Sequence, residues 1–230
     1  MIALCAAMEL EIKAFSKELH IINHEHWNHA KIYTASVKDQ DVLICSTGVG
    51  KVLSAVLTER LLSSYPVSHL LFTGLAGSLN PRYAIGDIVL AADFMQWDFD
   101  ATAFAFELGE IPYTGYRVFN SDPSLIEAAE SSSSKDFHIH KGRFLTGDTF
   151  ITGNAKQRSS YLTRELKGDV IDMETAAVGM VAHLHHVPFL GFKLISDRAD
   201  GKSPRHFLRF ARRASEQLLQ FSRRLLEDLS

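Results

Sequence analysis

The sequence is short of cysteine, of long apolar runs and of an excess of either charge, and each shortage excludes a class of protein. Among 230 residues only Cys5 and Cys45 are cysteines, and both lie in apolar runs. We therefore expect two small buried side chains in a reducing compartment, not a disulfide framework. No apolar run approaches the length of a membrane span. The formal net charge of −3 gives no basic footprint for nucleic acid.

The N-terminal segment and the chain length set further limits. The opening MIALCAAMELEIKAF has no basic start and soon reaches Glu9 and Glu11, so it does not match a signal peptide. We expect a cytoplasmic protein that does not bind membranes. A chain of 230 residues that is 46% hydrophobic can build one sizeable core. Because no linker or internal repeat interrupts it, we predict a single domain over residues 1–230.

Short apolar runs alternate with longer helical patterns along the chain. The runs are rich in Val, Ile and Phe and are bordered by Gly or Pro: IALCAA, KIYTASV, DVLICST, HLLFTG, GDIVLA, GRFLTG, GDVIDM and PFLGFKLIS. The helix after Gly50 is predicted to have one apolar face, made of Val52, Val56, Leu57 and Leu61. The spacing from Phe207 to Leu229 predicts a long amphipathic helix. This alternation predicts an α/β layer fold with a mixed, mostly covered sheet.

Two glycine-containing turns follow predicted strands. STGVGKV (46–52) lacks the Ser or Thr after Lys51 that a phosphate-binding loop needs, and it lacks the third glycine of a dinucleotide fingerprint. Its glycines permit a tight turn whose amides face a polar ligand, although a structural turn explains them equally well. TGLAGSL (73–79) leaves the backbone open to a small molecule, but a tight strand exit gives the same pattern.

The histidines do not form a recognisable metal motif. HEHWNH contains His24, His26 and His29, but Asn28 stands where the helical zinc motif requires histidine. The HLHH segment, residues 183–186, lies at a predicted helix end, where protonated histidine suits the helix dipole. We therefore expect surface histidines and no metal site.

Carboxylates follow three of the predicted strands. They are Glu9 and Glu11 in AAMELE, Asp172 and Glu174 in VIDME, and Asp197 and Asp200 in LISDRAD. Ligands of open α/β sheets bind outside the carboxyl ends of strands. Any one of these groups is explained by a helix cap or a buried ion pair, but three such exits together favour one shared pocket.

These motifs occur in an order that resembles a known family. AAMELE, TGVGKV, TGLAGSLNP, IGDIV, DFDATAFAFELGEIP, TGDTFI, IDMETAAV and PFLGFKLISDRAD follow one another along nearly the whole chain. The sequence resembles the 5′-methylthioadenosine/S-adenosylhomocysteine nucleosidases of the purine nucleoside phosphorylase and uridine phosphorylase superfamily. The resemblance implies a single-domain, three-layer α/β/α fold with a mixed sheet that forms a distorted barrel. It also implies a homodimer that hydrolyses N-glycosidic bonds of adenine nucleosides without metal or cofactor.

The resemblance also assigns roles to the carboxylates. Cleavage gives the ribose oxocarbenium character while negative charge builds on adenine. Asp197 would be the general acid at the base and would have to retain a proton for it, with Ser196 orienting its carboxyl group. Glu174 would accept hydrogen bonds from the ribose hydroxyls above Met173. Glu11 would orient and deprotonate the attacking water.

The remaining assignments concern the base and the 5′ substituent. Phe150 would stack on adenine, the backbone of Ile151 would read its edge, and Phe207 would close over it. Ala76 and Gly77 would allow the close approach of the substrate. An apolar pocket for the 5′ group would be formed by Met8, Val49, Phe104, Phe106 and Pro112. The resemblance implies that a neighbouring subunit supplies part of this wall, which would explain the aromatic segment 94–116.

Three positions depart from the pattern of the family. Lys193 stands where Arg is common, Leu75 where Ser is common, and Arg198 where a small or apolar residue is usual. The first two lie near the attacking water, and lysine lacks the fixed fork of arginine. Water positioning and substrate range are therefore the points at which this chain is expected to differ.

Several alternatives follow. A hydrolase of 6-amino-6-deoxyfutalosine or futalosine fits the same motifs. A phosphate-dependent purine nucleoside phosphorylase needs an anion site, whereas Glu9 and Glu11 would repel phosphate, so hydrolysis is favoured. A nucleoside sensor that has lost its chemistry and a dimeric scaffold built on the aromatic segment are the non-enzymatic alternatives.

Overall fold

Strands and helices are interspersed along the chain, although residues 20–46 and 69–120 contain successive strands with no α-helix between them. The structure is a computed structural model that describes residues 1–38, 40–132, 137–151, 156–199 and 207–229, except for the side chains of 156–159, 207–209 and 212. Its strands are β1 Ile2–Ala6, β2 His20–Trp27, β3 Ala30–Val37, β4 Gln40–Ser46, β5 His69–Thr73, β6 Leu75–Ser78, β7 Ile88–Gln96, β8 Phe119–Asn120, β9 Ile139–Thr146, β10 Val170–Asp172 and β11 Phe189–Asp197. Its α-helices are α1 Glu9–Ile12, α2 Phe15–Glu18, α3 Lys51–Ser64, α4 Pro123–Ser131, α5 Lys156–Arg164, α6 Thr175–Leu184 and α7 Phe207–Asp228.

The strands form one mixed sheet, of which one part is open and the other is closed. In the open part β1 lies between β4 and β5 and is parallel to both, while β2 and β3 extend the edge by antiparallel pairing. In the closed part, β11, β6, β10, β9 and β7 pair in turn, and the antiparallel pairing of β11 with β7 completes a five-stranded barrel. The predicted α/β fold with a distorted barrel is confirmed.

Strand β11 joins the two parts. Its first residues pair with β5 from Phe189 to Gly191, and its last residues pair with β6 from Leu194 to Asp197. The strand is buried throughout except at Asp197, where it reaches the surface of a pocket.

The helices cover both faces of the sheet and give three layers. Successive residues of β1 point to opposite faces. Ile2 and Leu4 belong to a core cluster shared with α4 and α7, whereas Ala3 and Cys5 belong to one shared with α3 and α6. Both cysteines are buried and free, as predicted. No helix in the described part of the chain is both long and apolar enough to cross a membrane.

The apolar face predicted for α3 is wrong in part. Leu57 and Leu61 are fully buried, but Val52 is 71% exposed and Val56 is 48% exposed. The inner face instead contains Ser54 and Thr58, whose hydroxyls donate to carbonyl groups one turn earlier in the helix. A strip of exposed apolar side chains therefore runs along the outside of α3.

Candidate active site

The three strand exits meet in one pocket of about 180 Å³. Glu11, Glu174 and Asp197 all line it, as predicted. Other predicted residues that line it are Met8, Val49, Ala76, Gly77, Phe150, Ile151, Met173 and Ser196. The pocket is also lined by six residues for which the sequence predicts no contact with substrate: Ala7, Leu75, Thr149, Ile171, Asp172 and Ala199.

Gly77 brings two of the exits together. It pairs with Ile171 of β10 on one side and with Asp197 of β11 on the other. A Cβ atom at this position would lie 3.1 Å from Asp197 Oδ1 and 3.1 Å from Ile171 Cγ2. Any larger residue here would require these neighbours to move by a few tenths of an ångström, so glycine favours the close approach of β10 and β11.

Glu11 is held by backbone amides at the start of α1. Its Oε1 accepts a hydrogen bond from Leu75 N at 2.7 Å, and its Oε2 accepts one from Met8 N at 2.8 Å. The neighbouring Gly74 has a φ of +132°, and a Cβ there would lie 2.6 Å from Glu11 Oε1. Glu9, in contrast, is exposed. Of the two carboxylates in AAMELE, only Glu11 reaches the pocket.

Glu174 lies immediately before α6 and is 5% exposed. Its Oε1 accepts a hydrogen bond from Gly50 N at 2.9 Å. The amide that the STGVGKV turn presents is therefore bound to a carboxylate of the pocket. The other oxygen, Oε2, lies 3.9 Å from Lys193 Nζ.

Asp172 connects the strands beneath this site. Its Oδ1 accepts a hydrogen bond from the hydroxyl of Thr146, and its Oδ2 accepts from both the amide and the hydroxyl of Thr175 at the start of α6. Thr146 in turn accepts a hydrogen bond from Ala176 N. The carboxylate thus caps α6 and ties it to β9, in a buried position that the sequence pattern alone did not explain.

Lys193 is the buried cation beside these carboxylates. Its side chain is fully buried, with Nζ 3.6 Å from Asp172 Oδ2 and 4.2 Å from the centre of the Phe72 ring. Within the described residues, Nζ has no hydrogen-bond partner. An ammonium held by charge and by a ring face, without a hydrogen bond, acts on the site through its electric field.

Burial and this ammonium act in opposite directions on the two glutamates. Burial raises the pKa of Glu174 from its ordinary value of 4.5 to about 7, while Lys193 opposes the rise and Asp172 adds to it. Burial also raises the pKa of Glu11, against the effects of Lys193 and of the amides of Met8 and Leu75. The pocket therefore gains negative charge as the pH rises through neutrality.

Asp197 is half-buried and oriented by two donors. Its Oδ2 accepts a hydrogen bond from the hydroxyl of Ser196 at 2.8 Å, and its Oδ1 accepts one from Ala199 N at 2.8 Å. The Ser196 hydroxyl also lies within hydrogen-bonding distance of Ala76 O. Ser196 thus occupies the orienting position that the resemblance implies.

The residues predicted for the base and for the 5′ group differ in how they lie relative to the pocket. Phe150 is 59% exposed at its mouth, while Ile151 is buried. Phe104 is 79% exposed and Tyr113 is 94% exposed in the aromatic segment, and Phe106 packs on Tyr113. Neither Phe104, Phe106 nor Pro112 lines the pocket within the described part of this chain. The Phe207 side chain lies outside the described residues, as does Asp200.

Comparisons with known proteins place this geometry among relatives. The family model described as "Phosphorylase superfamily" matches residues 1–227. The 5′-methylthioadenosine/S-adenosylhomocysteine nucleosidase of Staphylococcus haemolyticus (strain JCSC1435) is 30% identical over 217 residues, which cover 94% of each chain. The nucleosidase of the same name from Campylobacter jejuni has a TM-score of 0.92 at 28% identity and 98% coverage of both chains. The futalosine hydrolase of Helicobacter pylori strain 26695 has a TM-score of 0.91 at 25% identity, covering 98% of this chain and 97% of that one.

Proposed function

Because the chain belongs to the phosphorylase superfamily and, within it, to the 5′-methylthioadenosine/S-adenosylhomocysteine nucleosidase family, we propose that it hydrolyses the N-glycosidic bond of these two nucleosides. Water is consumed, and adenine and the 5-thio-ribose are released. The observation that carries this proposal is the convergence of Glu11, Glu174 and Asp197 in one pocket.

Asp197 is the proposed general acid. The departing adenine accumulates negative charge, and a proton delivered to the base lowers the barrier. Ser196 and Ala199 fix the direction of the Asp197 carboxyl group, which supports this role because proton transfer requires a fixed geometry. Phe150 at the mouth of the pocket would stack on the base, and the buried Ile151 would contact its edge.

Glu174 is the proposed ribose ligand. Its Oε1 is occupied by Gly50 N, and its Oε2 is left for the sugar hydroxyls. These hydrogen bonds would strengthen as positive charge develops on the ribose, so they would favour the transition state over bound substrate. Met173, which also lines the pocket, would form the floor beneath the sugar.

Glu11 is the proposed base for the attacking water. Burial raises its pKa, which makes its carboxylate a better proton acceptor. None of the described residues that line the pocket is Lys or Arg, and an anion such as phosphate would face carboxylates there. These charges support hydrolysis over phosphorolysis.

A second subunit would complete the pocket for the 5′ group. Val52, Leu53 and Val56 expose apolar side chains on the outside of α3, and Leu184 does so at the end of α6, against which α3 packs. Exposed apolar side chains of this kind are typical of a subunit interface. We propose a homodimer in which the exposed Phe104 and its neighbours Phe106 and Pro112 contribute to the partner's pocket.

A substrate panel tests the proposal. The pure protein is incubated without phosphate with 5′-methylthioadenosine, S-adenosylhomocysteine or 6-amino-6-deoxyfutalosine, and released adenine is measured. We expect adenine from the first two. Release only from aminofutalosine would favour the second candidate, which the similarity to the Helicobacter pylori futalosine hydrolase supports. Absence of adenine in all three would overturn the proposal, and a requirement for phosphate would indicate a phosphorylase.

The variant Asp197→Asn tests the mechanism. It should fold normally but release adenine more slowly by roughly 10²–10⁴-fold, since it cannot supply the proton. Glu9→Gln is the control, because Glu9 is an exposed carboxylate next to the same site. Near-normal turnover of Asp197→Asn would remove Asp197 from the role of general acid.

A further inference from the structure

The first amides of α3 are capped by two carboxylates that are distant in the sequence, Glu174 and Asp148. No local side chain caps this helix. The amide of Gly50 donates to Glu174 Oε1 at 2.9 Å, and the amide of Lys51 donates to Asp148 Oδ1 at 2.8 Å. Free amides at a helix start attract negative charge, so both carboxylates are held favourably. The same helix start therefore connects the sugar side of the pocket to the loop after β9.

The Lys51 side chain contacts Asp98, which binds Asp148 in the loop after β9, and these contacts close a ring. Its Nζ donates to Asp98 Oδ1 at 2.6 Å and to Gln96 Oε1 at 3.1 Å. Asp98 Oδ2 accepts a hydrogen bond from Asp148 N at 2.8 Å. Lys51, Asp98 and Asp148, here called the lysine ring, are thus linked through both backbone and side-chain groups. The Lys51 and Asp98 side chains are only 18% and 20% exposed, which limits screening by solvent.

The lysine ring lies directly behind two walls of the pocket. Val49 and Gly50 immediately precede Lys51, whereas Thr149 and Phe150 immediately follow Asp148, and Val49, Thr149 and Phe150 all line the pocket. Trp97 also packs closely against the loop that contains Asp148, since a Cβ atom added at Gly147 would lie 2.5 Å from Trp97 Nε1. This ring and the packing of Trp97 therefore link the segment on the sugar side of the pocket to the segment on the base side.

We propose that Lys51, Asp98 and Asp148 are positioning residues that set the distance between Glu174 and Phe150, and hence the alignment of ribose and base in the bound nucleoside. This inference rests on the proposed nucleosidase function. The lysine ring touches no reacting atom and acts through the two walls that it joins. The Tm of each variant separates a loss of stability from a displacement of the pocket walls.

Each residue is replaced in two ways, once by a side chain that cannot make its contact and once by a side chain that can. Lys51→Met removes the ammonium, whereas Lys51→Arg keeps a cation with several donors. Asp148→Ala removes the acceptor for Lys51 N, whereas Asp148→Asn keeps an acceptor oxygen. Lys141→Met is the matched control, because it breaks the Lys141–Glu130 pair of 2.8 Å at the other end of β9. All variants retain the catalytic carboxylates.

Kinetics give the first readout. With methylthioadenosine, Lys51→Met and Asp148→Ala should lower kcat/KM per folded enzyme by about tenfold or more, since small displacements of aligned groups are costly. KM should rise and kcat should fall together, and Lys51→Arg and Asp148→Asn should restore most of the loss. Values of kcat/KM for Lys51→Met within about twofold of Lys141→Met would overturn the proposal, as would a loss fully explained by a lower Tm.

A structural readout works even if no substrate is found. Trp27 and Trp97 are the two tryptophans, so Trp27→Phe leaves Trp97 as the only tryptophan, whose emission can be excited without that of the tyrosines. Lys51→Met should shift the Trp97 emission and speed hydrogen exchange at the amide of Asp148, and Lys141→Met should do neither. Unchanged emission and exchange would overturn the proposal. Inactivity of the unmodified protein with every nucleoside would instead overturn the proposed function, and this pair of measurements would still report on the lysine ring.

Discussion

Glu11, Asp172 and Glu174 are three buried carboxylates that share one buried ammonium, that of Lys193. One positive charge cannot neutralise three negative ones, so protons remain in the cluster near neutral pH. Burial is the main cause of the raised pKa values of Glu11 and Glu174, and the negative charge of Asp172 adds to it. The negative charge that would stabilise a ribose cation in the transition state also destabilises the folded protein when the pocket is empty.

The variant Glu174→Gln tests this cost. A pKa raised from 4.5 to about 7 means that the folded protein binds the Glu174 proton more tightly than the unfolded chain. The contribution of protonated Glu174 to the free energy of unfolding is complete below about pH 4.5 and is lost as the pH rises to about 7. Above that pH the contribution does not change further. Glutamine does not titrate, so the variant does not lose this contribution to stability as the pH rises. The free energy of unfolding of Glu174→Gln, relative to the unmodified protein, should therefore increase across this window by on the order of 3 kcal/mol.

Denaturant unfolding at a series of pH values measures this difference. The glutamine can still accept the hydrogen bond from Gly50 N, so the comparison isolates the charge. A difference that does not change with pH would show that Glu174 is ionised at an ordinary pKa.

Lys193 is expected to set the acidic limit of activity. The variant Lys193→Met removes the attraction that opposes the raised pKa of Glu174. If ionised Glu174 binds the ribose, the rise of kcat/KM with pH should move to higher pH in this variant. Activity should then be lost more at pH 6 than at pH 9. Lys193→Arg should keep the original profile, and an equal loss at both pH values in Lys193→Met would contradict the electrostatic role.

At the scale of elements, the sequence predicts the positions of strands better than it predicts which face of a helix is buried. All eight apolar runs coincide with strands, because their Val, Ile and Phe side chains fill the core on both faces of the sheet. Strands β2, β6 and β8 lie outside these runs. The sequence does not predict β2, because HIINHEHW is largely polar and exposed at the sheet edge, and it predicts a turn or tight strand exit where β6 lies. The inner face of α3 was misassigned because the helix is apolar on nearly every side, so its periodicity does not select one.

Gly50 shows how one turn supports both the helix and the site. Its φ of 92° and ψ of 163° lie in a region that is essentially restricted to glycine. Gly50→Ala should cost about 1–3 kcal/mol of stability from backbone strain. Its new Cβ would also lie 3.0 Å from Asp148 Oδ1. The variant should therefore lose kcat/KM as well as stability, since Glu174 loses its anchor.

Gly86→Ala is the control for this prediction. Gly86 also has a positive φ, of +98°, but nothing lies within 4 Å of an added Cβ. It should lose stability without a comparable loss of kcat/KM per folded enzyme. Equal kinetic effects of the two variants would show that the turn at Gly50 has no particular connection to the site.

At the scale of the whole molecule, the pocket for the 5′ group is expected to depend on a second chain. The double variant Val52→Asp and Val56→Asp places charge on the exposed strip of α3, where it should not disturb the core. Analytical ultracentrifugation should show a dimer for the unmodified protein and a monomer for the variant, with a large loss of kcat/KM. Ile85→Asp is the control, since Ile85 is also about half exposed but lies outside that strip. A monomeric, fully active unmodified protein would contradict the prediction.

The sequence located the three pocket carboxylates but not the groups that hold them. Motifs placed Glu11, Glu174 and Asp197 at strand exits, and the structure brings these exits together. The anchors are mostly backbone amides, those of Leu75, Gly50 and Ala199, and an amide carries no sequence signal. Leu75 is a clear case, because its side chain cannot hydrogen-bond and yet its amide binds Glu11.

Strand β11 has a consequence for how the protein is made. Residues 189–197 pair with β5, β6 and β7, which are all synthesised much earlier. A nascent chain on the ribosome therefore presents these strands with unpaired edges until β11 emerges, and exposed edges invite aggregation. Asp197 arrives with the same segment. Chains released before Phe189 are thus expected to be targets for chaperones and proteases and not weakly active enzymes, since the strand that closes the barrel also carries Asp197 into the pocket.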